Sequence, residues 1–294
     1  MNFSKILCVT MAVCVLMPLP VFGAESEPQT VKNVTPYAVG KNEFAAALVM
    51  DADSGKILYE YQPDKIWPMA SLTKLMTALI FMVRRPAWTE VVAMSDEDEV
   101  GGGRLRVSTG AKLTVQDLLY SAITASANNA AMALARISGL VIDKFVAAMN
   151  TQAKAMGLRY TKFYEPSGMN PENVSTAREI AKLASFAFSV RSIRRVASTA
   201  SYSFEIQNTG EIKKLTNTND LLIAKENDDV YVTGGKTGFL YESMYNLAVR
   251  MKPASDADND RLLIVVVLGS PTRDASFASA KAIANWAWDA YGWH

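Results

Sequence analysis

Pro68-Met69-Ala70-Ser71-Leu72-Thr73-Lys74-Leu75-Met76-Thr77-Ala78-Leu79-Ile80 sets a Ser-x-x-Lys pair at the front of an apolar run. The run reads as a buried helix, on which residues three apart share a face with Cβ atoms roughly 5–6 Å apart. Ser71 and Lys74 are then expected side by side, a hydroxyl beside an amine able to take its proton. A helix N-terminus also carries a partial positive charge and unpaired N–H groups, which favour an anion forming there. Alone, Ser-x-x-Lys fits equally well a serine cap followed by an outward lysine. The rest of the chain decides between the two.

Histidine narrows the chemistry first. The chain has one, His294, its last residue. A Ser-His-Asp triad and histidine-based zinc sites are therefore not expected. A hydrolase built on Ser71 needs another base, and lysine is the available one. Lys5, the apolar run Ile6 to Met17, and Pro18 and Pro20 before Val21-Phe22-Gly23-Ala24 predict a secretory signal peptide over residues 1–24. Cleavage is expected after Gly23 or Ala24. Cys8 follows Leu7 and Cys14 follows Val13, where a lipoprotein signal needs a small residue, so lipidation is not expected. The mature chain then has no cysteine, hence no disulfide and no thiol nucleophile. It also balances 29 basic against 29 acidic residues, because the leader takes away only Lys5. Neutrality argues against binding nucleic acid or an anionic membrane through bulk charge. The expected location is outside the inner membrane, periplasmic or extracellular, as a soluble protein.

Residues 25–41 form a polar lead-in. Phe44–Met50 and Lys56–Tyr61 flank an Asp/Ser/Gly turn and predict a hairpin. Thr114 and Asp117 have capping-box spacing and open a helix that Ser126-Ala127-Asn128-Asn129 interrupts. Helices follow near Ile142–Met156 and, capped by Thr176 with Glu179, over Ala177–Phe188. Ser201–Ile206 and Glu211–Leu215 read as a second hairpin; Asn246–Met251 and Leu262–Leu268 read as strands before a last helix, Ala275–Tyr291. The acidic Ser95–Asp98 run reads as a solvated loop without a calcium-loop signature. No repeat or linker divides residues 42–294. The pattern predicts one α+β domain, its mainly antiparallel sheet joined from N- and C-terminal strands and packed against a helical block.

Three short motifs fall in order: Ser71-x-x-Lys74, Ser126-x-Asn128 and Lys236-Thr237-Gly238. Each is common alone, as a helix cap or a strand-edge turn. Together they are the set found in class A β-lactamases and penicillin-binding proteins. With the flanks Ala125-Ser126-Ala127-Asn128-Asn129-Ala130, Gly235-Lys236-Thr237-Gly238-Phe239 and Ser175-Thr176-Ala177-Arg178-Glu179, the chain resembles a low-molecular-mass penicillin-binding protein. The family is that of serine D-alanyl-D-alanine carboxypeptidases and endopeptidases, and the likeness runs from about Phe44 to Tyr291.

The resemblance implies a β-lactamase/transpeptidase-like fold and a serine acyl-enzyme. Ser71 would attack a D-alanine carbonyl, and water would hydrolyse the ester. Lys74 would be its base, which needs an amine pKa about three units below the ordinary ~10.4, roughly 4 kcal/mol against the ammonium. Burial and the nearby Lys236 are expected to supply this. Ser126 would relay a proton to the leaving amine, and Asn128 would hold the substrate amide and Lys74. Lys236 and Thr237 would bind the terminal carboxylate, and Gly238 would let the strand lie close. The backbone N–H groups of Ser71 and Phe239 would form the oxyanion hole. The implied substrate is the peptidoglycan stem peptide, with β-lactams as covalent inhibitors, and no metal or organic cofactor.

The main expectation is removal of the terminal D-alanine, and the alternative is cleavage of the D-alanyl cross-link. Only 56 residues follow Gly238, so the β-rich domain and membrane anchor of longer members are expected to be absent. A β-lactamase would place a glutamate and an asparagine four apart in the loop where Glu165 and Asn170 stand five apart. A non-catalytic sensor would lack the nucleophile or the base. Trp286, Trp288 and Trp293 are expected to pack rather than touch a membrane, since no basic residue follows Lys281.

Overall fold

The structure, a computed structural model, describes residues 27–31, 34–41, 43–223, 229–256 and 261–293. The expected signal peptide and His294 lie outside the described residues. Strand β1 (Ala46–Asp51) is buried along its whole length, as a strand covered on both faces must be. The Asp51 carboxylate accepts from the backbone N–H and the hydroxyl of Ser54, turning the chain into β2 (Ile57–Tyr61). Three more strands come from the C-terminal part: β3 (Val230–Leu240), β4 (Met244–Pro253) and β5 (Leu263–Ser270). The sheet order is β3-β4-β5-β1-β2, with every neighbouring pair antiparallel. The two ends of the chain therefore share one sheet, as the sequence predicts.

Side chains alternate between two cores with the two-residue period of a strand. Leu48 and Met50 of β1 join Ile264, Val266 and Leu268 of β5 on the face under the helical block. Val49, Val265 and Val267 face the other way. The helical block consists of α1 (Thr73–Met82), α2 (Val115–Ile123), α3 (Asn128–Ile137), α4 (Ile142–Ala155), α5 (Ala177–Ser189) and α6 (Arg191–Ala197). The last helix, α7 (Arg273–Ala290), covers the opposite face with Phe277, Ile283 and Trp288. The tryptophans are tied to the body: Trp286 donates to the Thr35 carbonyl, Trp288 to that of Arg261, and Trp293 to the Asp51 carboxylate.

Helix α1 is apolar all round and buried from Thr73 to Phe81, which makes it the axis of the block. Its start differs from the expectation. Ala70–Leu72 forms a 3₁₀ turn, so Ser71 precedes the α-helix rather than opening it. Thr114 and Asp117 make the reciprocal capping box. Thr176 accepts from the Glu179 N–H, but the Glu179 carboxylate turns away to the Tyr160 N–H and the Thr161 hydroxyl. Helix α6 escapes sequence reading because two turns of Arg-Ser-Ile-Arg-Arg-Val-Ala directly after α5 give too short a period.

The acidic run is not a solvated loop throughout. Asp98 is buried, caps the Ser95 N–H, and takes a two-pronged pair from Arg136 of α3 at 2.8 Å. This pair clamps the 95–99 segment to the helix whose first turn carries Asn128. Replacing Arg136 by Met leaves Asp98 buried without its countercharge, a loss of about 3 kcal/mol. A lower urea midpoint at unchanged slope is the expected result.

Candidate active site

The three motifs arrive on three separate elements and meet at two lysine nitrogens. Lys74, one turn into the helical path from Ser71, is fully buried. Its Nζ lies 2.8 Å from Ser71 Oγ, 2.7 Å from Asn128 Oδ1 and 2.5 Å from the Ser167 carbonyl oxygen. Lys236, inside β3 and also buried, donates to Ser126 Oγ at 2.7 Å and to the Thr237 carbonyl at 2.9 Å. Thr237 Oγ1 shares a 2.6 Å hydrogen bond with Thr218 Oγ1. Lys-Thr-Gly lies in mid-strand, where the long strand β3 passes the 3₁₀ turn. Gly238 is needed there, since a Cβ on it would stand 3.0 Å from the Met69 carbonyl and 3.3 Å from Ser71 N. Phe239 follows at once, with its ring exposed against Tyr245 and Tyr241.

Backbone strain is placed beside both hydroxyls. Ala70, just before Ser71, has φ 48° and Ser126 itself has φ 58°, left-handed values that non-glycine residues adopt only when the surroundings impose them. At Ser126 the surroundings are two hydrogen bonds across the α2–α3 break, Ala127 N–H to the Ser121 carbonyl and Asn128 N–H to that of Gly103.

Sequence reading leaves the loop 163–171 as a turn. In the structure it forms one wall of the Lys74 environment. Glu165 accepts from Ser167 N–H, Ser167 Oγ, Gly168 N–H and Asn173 Nδ2. This closes a tight turn that points the Ser167 carbonyl at Lys74. Thr77 of α1 donates to the Pro166 carbonyl at 2.6 Å, and Met69 N–H donates to the buried Asn173, fixing the turn to the Ser71 segment. Gly168 has φ +87°, and a Cβ there would run into the Ala70 carbonyl and Ser71 N. Pro166-Ser167-Gly168 favours a turn here; nothing in the sequence reveals that it rests on Ser71.

Burial pulls the Lys74 ammonium down to about 7, against the upward pull of Glu165. Lys236 is held well below the ordinary lysine range, first by burial and then by repulsion from Lys74. The expected help from a second cation thus shows on Lys236, whereas desolvation dominates at Lys74. A cleft of about 600 Å³ opens over these groups, lined by Ser71, Ser126, Asn128, Thr237, Phe239 and Arg273. Arg273 is the residue that sequence reading misses. It starts α7, is half exposed, and bonds the Thr218 carbonyl and Asp220 beside Thr237. An isolated arginine at a helix start gives no signal of this. No group of three metal-ligating side chains occurs among the described residues.

The sequence that builds this site matches a family profile. The profile of D-alanyl-D-alanine carboxypeptidases covers residues 32–272. The chain belongs to this family. Its relatives include a D-alanyl-D-alanine endopeptidase of Pseudomonas aeruginosa, 32% identical over 243 residues, covering 82% of this chain and 76% of that protein. An endopeptidase of Escherichia coli is 30% identical over 264 residues, 88% of this chain and 83% of the relative. A carboxypeptidase of Bacillus subtilis is 29% identical over 261 residues, 86% of this chain and 64% of the relative. The crystal structure of the Streptomyces K15 DD-transpeptidase superposes with a TM-score of 0.77 at 27% identity, over 86% of this chain and all of that one. The protein is a serine-type DD-peptidase with the penicillin-binding fold.

In this DD-peptidase, Gly168→Ala forces the 165–168 turn off the Ser71 backbone. A displacement of about 1 Å there is expected to slow hydrolysis of a D-alanyl-D-alanine peptide about 100-fold. A lowered melting temperature together with that slowing, in a purified variant that still folds, is the expected result.

Proposed function

We propose that Ser71 is the nucleophile and Lys74 its general base, acting on D-alanyl peptides of the peptidoglycan stem. The observation that carries this is the hydrogen-bond set of Lys74. A neutral amine has two N–H donors and one lone pair. Asn128 Oδ1 and the Ser167 carbonyl are acceptors only and take both donors, so the lone pair is left for the Ser71 hydroxyl at 2.8 Å. A pKa of about 7 keeps that neutral form populated at physiological pH. Ser71 Oγ bonds to the carbonyl carbon as its proton passes to Lys74. The C–N bond then breaks, the amine taking a proton through Ser126, and water releases the acyl group by the reverse path. The backbone N–H groups of Ser71 and Phe239 receive the oxyanion.

Lys236, Thr237 and Arg273 are assigned to the substrate's free carboxylate, with Asn128 on the peptide amide. An incoming anion favours the ammonium of Lys236, offsetting the burial that depresses it. The site then holds one cationic and one neutral lysine. Glu165 is spent on the turn, with its oxygens saturated by donors, which speaks against a β-lactamase deacylation role. Release of terminal D-alanine is the main reading. Cleavage of the cross-link is the second, favoured by the endopeptidase names of the Pseudomonas aeruginosa and Escherichia coli relatives, 76% and 83% of whose lengths are covered. We read residues 1–24 as an export leader and 42–294 as one catalytic unit working in the periplasm. No described helix is long and apolar enough to cross a membrane.

Because the reactive form of Lys74 is the amine, acylation should rise with pH through about 7 and fall below it. The rising limb of kcat/KM on a D-alanyl peptide should centre there and vanish with Lys74→Arg. Digestion of whole sacculi tests the assignment directly. Wild-type protein should release D-alanine or convert cross-linked dimers to monomers, and Ser71→Ala should do neither. Residual product formation by Ser71→Ala would overturn the nucleophile.

A further inference from the structure

The catalytic cleft is not a closed end. Past Ala125, Gly102 and Gly103, which line it, a second and larger groove of about 1160 Å³ opens between the 101–109 loop and the tip of the 201–216 hairpin. Ala125 precedes Ser126, the residue assigned to protonating the departing amine. The groove therefore continues from the leaving-group side of the scissile bond.

Its walls are fixed. On one side Asn129, buried in the first turn of α3, accepts from Leu105 N–H and donates to the Leu105 carbonyl, both at 2.9 Å. Asn128 donates to the Gly101 carbonyl, so the same residue that contacts Lys74 also holds this loop. On the other side Asn208, at the hairpin tip, accepts from Lys112 N–H and donates to the Gly110 carbonyl, while Gln207 N–H donates to the Lys112 carbonyl. A groove held on both walls by side chain and backbone bonds is pre-shaped for an extended ligand.

Its charge is cationic where the loop faces it. Leu105 is buried, and its neighbours Arg104 and Arg106 are both exposed, the alternation that puts two arginines on one side of an extended segment. Arg104 has a long 3.4 Å contact with Glu99, and Lys213 opposite is paired with Glu211 at 2.5 Å. Arg106 has no ion pair among the described residues. Three cations thus face two carboxylates, and one guanidinium is left for a ligand.

We propose that this groove holds the departing stem of a D-alanyl cross-link, with Arg104 and Arg106 binding the free carboxylates of that anionic peptide. The proposal rests on Ser71 acylation and makes the cross-linked dimer a substrate. A free D-alanine leaving group ends at the Lys236–Thr237–Arg273 clamp and does not reach the groove. A second stem places the carboxylate beside its departing amine in the same clamp and extends beyond it, where its other carboxylates meet the guanidiniums. Bond making and breaking are those of the acyl-enzyme step; only the amine that leaves is larger.

The test compares two substrates with the mature protein: a cross-linked muropeptide dimer and an uncross-linked pentapeptide stem. In Arg104→Gln/Arg106→Gln, the dimer-to-pentapeptide ratio of kcat/KM should fall about tenfold, the worth of one or two charge-assisted hydrogen bonds. The fall should be shared between KM and kcat, be largely rescued by Arg104→Lys/Arg106→Lys, and disappear with a dimer whose free carboxylates are amidated. An unchanged ratio overturns the proposal, as does a wild-type protein that trims pentapeptide through Ser71 yet leaves dimers intact. Absence of Ser71-dependent activity on both substrates would instead remove the acyl-enzyme reading beneath it.

Discussion

The buried amine of Lys74 is the constraint around which the other elements are arranged. Placing an ammonium at the axis of an apolar helix is costly. A descent from the ordinary lysine pKa to about 7 corresponds to about 4–5 kcal/mol against the charged form. The fold meets this by supplying two acceptors and a hydroxyl from three directions rather than a countercharge in contact. Asn128 comes from the start of α3, Ser167 from the turn that Glu165 closes, and Ser71 from the 3₁₀ turn. Each acceptor is in turn held by its neighbours, so the strain at Ala70 and Ser126 is sustained by packing rather than by local preference. A carboxylate in direct contact would have cost less to fold and would have kept the lysine protonated. Glu165 stands near enough to raise the Lys74 pKa, but its oxygens are turned to backbone N–H groups instead.

Two lysines in one site divide what a single histidine does elsewhere. Repulsion prevents both from carrying a proton easily, and burial penalises either. In the proposed mechanism the carboxylate of the substrate breaks the tie, because Lys236, Thr237 and Arg273 are assigned to it and Lys74 lies behind Ser71. That reading links substrate binding and base activation through electrostatics. Ser126, bonded to Lys236 at 2.7 Å, sits where a proton can pass from this pair to the leaving amine.

Much of this was legible in the residues. Apolar runs at both ends of the chain gave the shared sheet, and the three motifs named most of the groups that converge. What stayed hidden has a common physical cause, since it depends on contacts between segments far apart in sequence. Asn173 shows no pattern, yet it binds Thr73 and Met69 across about a hundred residues as well as the nearby Glu165. Arg273 becomes part of the cleft only because the start of α7 bonds to Thr218 and Asp220 beside Thr237. Asp98 looked solvated because its partner, Arg136, lies two helices away. The α-helix starts two residues after Ser71 for a related reason. Helix propensity sees Ala-Ser-Leu-Thr as helix, whereas the approach of Gly168 and Gly238 to the backbone at residues 69–71 forces the tighter turn.

The same loop that positions Asn128 also forms one wall of the cationic groove, and this joins chemistry to substrate choice. Gly102 packs so closely on Asn128 and Met169 that a Cβ would stand 2.7 Å from each. Movement of the 101–106 segment would therefore disturb the Lys74 acceptor as well as Arg104 and Arg106. A peptide seated against the two guanidiniums presses on the segment that holds Asn128 in place. Its binding energy can then be expressed in the geometry of the base rather than only in affinity, which is how contacts remote from the reacting carbon raise kcat. A short leaving group has no such lever, so an open groove on that side favours the longer substrate through position as well as through charge.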